Sequence, residues 1–393
     1  MIKVNFFGVE PSNRYEEKVV ALGNPDFTKY EEDLLNIKTT LEQYQKYSKI
    51  IVIGHGGSIT NFAVYLRALK GNGKKVFILN TNEPDLIVNI KKDYTAIDTL
   101  IVCISKSGSN ITNLEAVLQF VDYNVIVVTE NKENTLRAIA NYYKWKIIEH
   151  PSICGRFSGF TSSSLAPAEL FGLPLDRIIK GAKNIYKLCS INSSPEKNIA
   201  WQIASSLYRL DLIGKDEIFL SLYSYYLETS IPLITQLIHE TLGKEGKGFT
   251  LIGAVSPEAH HHTNQRFLGG KKNMIGVFVT VGQQRNNEIR NNIHSDLLNI
   301  PLRNGTLKDI NNVTLSYALE SEFVGTKKDC EEKRIPYLHI ELQKIDSENI
   351  AEFIALWQLV VYYLAILIDV DPFSQPEIEN SKEILFNYRK EYS

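Results

Sequence analysis

The sequence predicts an α/β protein made of two doubly wound parallel-sheet domains packed together. Three observations lead there. Short β-branched runs that are apolar throughout recur along the chain, amphipathic helical stretches separate them, and the rhythm appears twice within 393 residues. Strands apolar on both faces suit a parallel sheet covered by helices on each side, and a βαβα alternation is the signature of that arrangement. The 44% hydrophobic content supplies core enough for two domains, since a domain usually spans about 100–200 residues.

In the first half the strand candidates are 49–53 (KIIVI), 76–79 (VFIL), 100–104 (LIVCI) and 125–128 (VIVV), with helices expected over 61–70 and 113–123. In the second half they are 217–222 (EIFLSL), 249–254 (FTLIGA), 274–281 (MIGVFVTV) and 337–340 (YLHI). The simplest division is an N-terminal segment 1–35, a first domain 36–180, a second domain 181–365 and a tail 366–393. The halves join near 170–195, where Asn192-Ser193-Ser194-Pro195 reads as a surface connection. The apolar segment 355–368 (ALWQLVVYYLAILI) falls short of the ~20 residues a membrane span needs and reads as a buried helix.

Lys+Arg (43) and Asp+Glu (45) nearly cancel. The chain therefore has no overall basic field to draw in nucleic acid or an anionic membrane, and an anion must be bound locally. Cys103, Cys154, Cys189 and Cys330 are scattered without a CxxC pair, which fits reduced thiols better than a disulfide framework or zinc site. The start, MIKVNFFGVEPSNRYEEKV, shows neither a basic n-region nor a long apolar run, so the expected location is cytoplasmic.

Two loops suit a phosphate. The run KIIVI leads straight into Gly54-His55-Gly56-Gly57-Ser58 and a helix. Glycines allow a tight turn and close backbone approach, and a helix N-terminus favours an anion. The spacing is neither a Walker loop nor a GxGxxG dinucleotide fingerprint, and a plain strand-to-helix turn has the same look. The second loop, Ser105-Lys106-Ser107-Gly108-Ser109-Asn110-Ile111-Thr112, follows LIVCI with hydroxyls and amides able to donate to three phosphate oxygens. Thr112-Asn113-Leu114-Glu115 also reads as a capping box, which accounts for Thr112 and Glu115 but not for the serines.

A GxGGS loop followed by an SKSG loop resembles the sugar isomerase (SIS) domain, a flavodoxin-like phosphosugar binder. Four further motifs sharpen the resemblance. They are Cys154-Gly155-Arg156-Phe157-Ser158, the stretch 236–244 (QLIHETLGK), a histidine followed by Gln265 and Gly270, and the stretch 371–382 (DPFSQPEIENSK). Together, in this order, they are similar to the motifs of the phosphoglucose isomerase family, over roughly residues 50 to 385.

The resemblance implies interconversion of an aldose phosphate and a ketose phosphate through a cis-enediol, with no cofactor. One carboxylate suits such a transfer because it can act first as base and then as acid. Glu240 is the candidate, one helical turn from Gln236. By resemblance His261 assists ring opening together with Lys382, and Arg156 stabilises the enediolate as a fixed cation. Gly57, Ser58, Ser105, Lys106, Ser107, Asn110, Gln236 and Gln375 contact the substrate. The resemblance also implies a homodimer in which the segment bearing His261 reaches the partner's site.

The run His260-His261-His262 does not read as a metal site. Adjacent imidazoles fan apart in helix and strand alike, and metal ligands favour HxH or HxxxH spacings. Only His261 stands at both family offsets, four residues before Gln265 and nine before Gly270. Departures from the family pattern are His55 in place of isoleucine, Asn110 in place of threonine, Thr112 in place of glutamate, and the lead Pro257-Glu258-Ala259. Three functions follow for comparison: a glucose-6-phosphate isomerase, an isomerase that also accepts mannose 6-phosphate, and a non-catalytic phosphosugar-binding SIS protein. The joint presence of Glu240, His261 and Lys382 speaks against the last.

Overall fold

A computed structural model describes residues 2–392. Its strands are β1 (Lys3–Phe7), β2 (Lys49–Ile53), β3 (Lys75–Leu79), β4 (Thr99–Ile104), β5 (Asn124–Glu130), β6 (Lys146–His150), β7 (Glu217–Leu222), β8 (Thr250–Val255), β9 (Met274–Gln283), β10 (Pro301–Leu302), β11 (Gly305–Thr306) and β12 (Tyr337–Lys344). Each strand candidate picked out from the sequence falls on a strand, with Phe249 just outside β8.

The first sheet is parallel throughout, in the order β3-β2-β4-β5-β6. Central β4 is buried over its whole length, whereas the edge strands β3 and β6 are partly exposed. That difference is why the central strands read as unbroken apolar runs and the edges do not. On one face Ile51, Ile53, Ile101, Cys103 and Val127 pack against Ile87, Ile90, Val117 and Leu136 of the crossover helices and Phe120 of the turn that follows one of them. The chain runs outward from β2 to β3, then returns to the other side of β2 as β4. This is the flavodoxin-like order, and ligands of such sheets lie at the carboxyl ends of the strands where the order reverses, here between β2 and β4.

The same compact unit holds the helix Ser347–Leu367, which is long and apolar enough to cross a membrane but has every residue from Asn349 to Leu367 buried. Asp346 caps it, its carboxylate accepting from Asn349 N at 2.9 Å. It packs along the helix Leu175–Leu188, where Gly181 leaves the space that a Cβ would take 2.2 Å from the Glu348 carbonyl oxygen. Close helix packing of this kind explains an all-round apolar helix without lipid.

The other unit carries a sheet in the order β1-β12-β9-β7-β8. β12, β9 and β7 run parallel, and β1 adds an antiparallel edge. Phe219, Phe267, Phe278, Phe323 and Tyr337 form its aromatic core. His339 Nε2 lies 2.8 Å from Thr280 Oγ1, and burial pulls this imidazole from 6.5 down to about 4.

The compact units interleave along the chain, where the sequence suggested a contiguous division. One comprises Met1–Glu10, Arg209–Glu228 and Leu251–Ile345; the other comprises Pro11–Tyr208, Thr229–Thr250 and Asp346–Ser393. The 192–195 stretch lies between the helices Leu175–Leu188 and Ile199–Asp211, within the second of these units rather than between the two.

Candidate active site

The glycine loop leaves β2 at the reversal point as a single 3-10 turn, Gly56–Ser58, and enters the helix Thr60–Ala68. Two of its glycines are sterically required. Gly56 has φ +53°, and a Cβ there would fall 2.7 Å from Gln236 Nε2. A Cβ on Gly57 would fall 2.2 Å from the carbonyl carbon and oxygen of Gly155, so the loop lies directly against the turn that carries Arg156. Gly57 and Ser58 are themselves buried. His55 Nδ1 is 2.5 Å from Asn113 Oδ1. The Asn113 amide group donates to the Ile104 carbonyl at 3.2 Å, so its oxygen faces the ring and His55 carries its proton on Nδ1.

The serine-rich loop leaves β4 on the other side of the reversal. Ser105 is buried, with its N–H on the Val128 carbonyl at 3.0 Å. Gly108 turns the chain with φ +63°, where a Cβ would collide with Asn134 Oδ1 at 1.8 Å. Ser107 and Ser109 are exposed, and their hydroxyls lie 3.0 Å apart. The following helix, Ile111–Leu118, is capped by Asn110, whose Oδ1 accepts from Asn113 N at 3.0 Å. This corrects the capping box read at Thr112. Asn110 has the extended backbone an N-cap needs, Thr112 is already inside the helix, and Glu115 is bound to Asn82 and Arg389. Lys106 points along the sheet end to Glu130, 3.4 Å away.

Glu240 stands near the end of the helix Ser230–Leu242, whose buried face (Leu233, Ile234, Leu237, Ile238, Thr241) leaves Gln236 and Glu240 together on a half-exposed stripe. Gln236 Nε2 donates to Glu240 Oε1 at 3.1 Å. Arg156 Nη1 lies 3.4 Å from Glu240 Oε2 and 3.3 Å from Gln375 Oε1. Its Nη2 donates to the carbonyls of Pro372 (2.6 Å) and Ser374 (3.0 Å). Arg156 is only 1% exposed, so the segment 372–375 serves as its lining. An always-charged guanidinium thus sits beside a solvent-reachable carboxylate, and an anion developing next to Glu240 would meet a fixed cation.

Glu240, Arg156, Gln236 and Gln375 therefore meet in one cluster. Lys382 does not join it; its ammonium lies on the exposed C-terminal helix Glu379–Tyr392, 2.6 Å from Glu379 Oε1. His261 ends a 3-10 turn in the other compact unit and is exposed. Beside it His260 is held by Glu322 (Nδ1 to Oε2, 3.3 Å) and by the Tyr223 hydroxyl (3.0 Å), and burial lowers its pKa against the pull of Glu322. No group of three metal-ligating side chains occurs among the described residues.

Three participants lie outside the sequence reading. Thr60 donates to Gln236 Oε1 at 3.1 Å, Asn113 fixes His55, and Lys244 donates to the Asp371 carbonyl. Burial and the nearby Arg156 cation lower the Lys244 pKa. Lys244 lies within a quoted motif, so a signal existed for it; a lone threonine after a glycine loop and an asparagine inside a helix carry none.

No family model matches the chain. Among curated proteins it is 25% identical over 364 residues to the glucose-6-phosphate isomerase of Methanocaldococcus jannaschii, covering 89% of this chain and 87% of that one. It is 26% identical over 378 residues to the enzyme of the same name from Acholeplasma laidlawii, covering 90% and 86%. Among solved structures, a hypothetical protein of Thermus thermophilus superposes with a TM-score of 0.82 at 23% identity, covering 93% of this chain and 89% of that one. A glucose-6-phosphate isomerase of Chlamydia trachomatis gives 0.76 at 15% identity, covering 98% and 81%. With near-complete coverage of relatives that share one name, and a fold shared with a solved glucose-6-phosphate isomerase, the chain is similar over nearly its whole length to the phosphoglucose isomerase (glucose-6-phosphate isomerase) family.

Proposed function

We propose that the chain is an aldose–ketose isomerase that interconverts glucose 6-phosphate and fructose 6-phosphate. The observation that carries this reading is the Glu240 carboxylate held between the Gln236 amide and the Arg156 guanidinium. These residues belong to the same compact unit as the two loops at the sheet reversal. In the open-chain aldose, Glu240 takes the C2 proton, a C1=C2 double bond forms, and the carbonyl electrons move onto O1. Arg156 then faces the developing negative charge. The O2 hydroxyl proton passes to O1 and the protonated carboxyl returns its proton to C1 as O2 becomes the carbonyl, so the carboxylate is regenerated and nothing is consumed.

Ser105, Ser107 and the backbone of both loops bind the phosphate, with Gly57, Ser58, Lys106 and Asn110 around them. Gln236 and Gln375 address the sugar hydroxyls. His261 and Lys382 open the ring, which requires both to reach the substrate from their present exposed positions. On the family resemblance we place the protein in the cytoplasm as a homodimer with shared sites, serving glycolysis and gluconeogenesis without cofactor or metal.

The test is turnover of fructose 6-phosphate in a coupled assay, together with glucose 6-phosphate deuterated at C2. The reading expects product formation and partial loss of label to water. Binding without turnover would favour a non-catalytic phosphosugar-binding protein, and a parallel assay with mannose 6-phosphate reports whether C2 stereochemistry is relaxed.

A further inference from the structure

Thr60 opens the helix Thr60–Ala68 immediately after the glycine loop. Its hydroxyl lies 3.1 Å from Gln236 Oε1, and Gln236 Nε2 lies 3.1 Å from Glu240 Oε1. The amide is thus strung between a hydroxyl and a carboxylate. An ionised carboxylate only accepts hydrogen bonds, whereas an amide has one accepting and one donating end. Only the orientation with the nitrogen toward Glu240 supports the charged form; the reverse would set two acceptors against each other. We infer that Thr60 is a positioning residue for Glu240: its hydroxyl holds the Gln236 oxygen and so turns the amide nitrogen onto the carboxylate, fixing the orientation in which Glu240 meets the substrate.

Several features of the surroundings agree. Gly56 leaves the room the amide occupies, since a Cβ there would lie 2.7 Å from Nε2. The helix turn between Gln236 and Glu240 brings the pair together without help from any other element. The charged group facing Glu240 from the neighbouring turn is Arg156, at 3.4 Å, and Lys244 adds a second cation close to Arg156. From the helix Thr60–Ala68, packed on the other side, the group that reaches this network is the neutral Thr60 hydroxyl. Arg156 supports the charge on Oε2, and the Thr60–Gln236 chain supports it on Oε1. Without the hydroxyl the amide oxygen loses the donor that holds it, and the amide can swing away from the carboxylate.

The inference rests on the isomerase reading for its consequence in turnover, but not for its physical content. Two measurements on the full chain therefore separate them. The first is the pH profile of kcat/KM for fructose 6-phosphate, whose acidic limb reports the base of the free enzyme. The second is a titration of the Glu240 side-chain carboxyl by NMR on 13C-glutamate-labelled protein, with the resonance assigned through Glu240→Gln. Thr60→Val, close in shape but without the hydroxyl, is expected to raise the midpoint in both, because a bond to the charged form is weakened. Thr60→Ser is expected to restore both. An unshifted midpoint in Thr60→Val, or a Thr60→Ser protein shifted as far as Thr60→Val, overturns the inference. If the wild-type chain does not isomerise the sugar, the functional reading fails and the NMR titration still decides the role of Thr60.

Discussion

Arg389 grips Glu115 through two hydrogen bonds, Nε to Oε1 at 2.5 Å and Nη2 to Oε2 at 2.8 Å. Glu115 sits on the helix that follows the serine-rich loop, and Arg389 on the C-terminal helix that also carries Lys382. The pair fastens the C-terminal helix beside one wall of the candidate site.

The bidentate pair holds the Glu115 carboxyl below the usual carboxylate range. A carboxylate with a depressed folded pKa stabilises the contact above its unfolded pKa, and that stabilisation is lost as pH falls through the folded value. Both side chains are partly exposed, so the effect on global stability is small, about 0–1 kcal/mol. The expected readout is local. Arg389→Ala speeds hydrogen exchange across 379–392 while the thermal midpoint barely moves, and acidification of the wild type reproduces the same local opening. Unchanged exchange in Arg389→Ala would show that the helix is held by other contacts.

Gly57→Ala tests the close approach of the glycine loop to the Arg156 turn. Its Cβ would fall 2.2 Å from Gly155 backbone atoms, so one loop must move. Overpacking of this kind costs about 1–3 kcal/mol, and the displaced turn carries Arg156 away from Glu240. Urea unfolding is expected to show that loss, and kcat for fructose 6-phosphate to fall with it. A variant as stable and active as the wild type would mean that the two loops part easily.

His339 makes the other unit acid-sensitive. Burial holds its folded pKa at about 4 against an ordinary 6.5, so the folded state keeps the ring neutral. As pH drops below 6.5 the unfolded chain takes the proton first, and stability falls until the folded ring also titrates near pH 4. In urea unfolding across this window, His339→Gln, which keeps a group able to bond Thr280, is expected to show a flatter pH dependence than the wild type. Parallel curves would assign the acid sensitivity to other groups.

Much of this architecture is legible in the chain because burial on both faces leaves a plain mark. Lys49–Ile53 and Glu217–Leu222 match their apolar runs residue for residue. The edge strand β1 has no fully buried position and β6 mixes exposed and buried ones, so KVNFF and KIIEH carry no such mark. In the site, the spacing of Gln236 and Glu240 alone places them on one helix stripe. The Arg156 turn meets them through Gly57 and Gly155, a long-range contact whose only trace is the glycines themselves. Asn110 displaces Thr112 as cap because the chain enters the helix earlier than the hydroxyl pattern suggests. Interleaving of the units is invisible to a linear reading, since the helices Ser230–Leu242 and Ser347–Leu367 join the unit of the first sheet by helix–helix contact rather than by chain order.

The central claim is that one carboxylate carries the proton between neighbouring carbons, and Glu240→Gln addresses it most directly. The substitution keeps the side chain's size and one accepting oxygen, which can take the Gln236 amide or the Arg156 guanidinium but not both, and it removes the basic carboxylate. Steady-state isomerisation of fructose 6-phosphate is expected to slow by roughly 10²–10⁴-fold in kcat with KM nearly unchanged. A Glu240→Gln protein turning over at the wild-type rate would contradict the account.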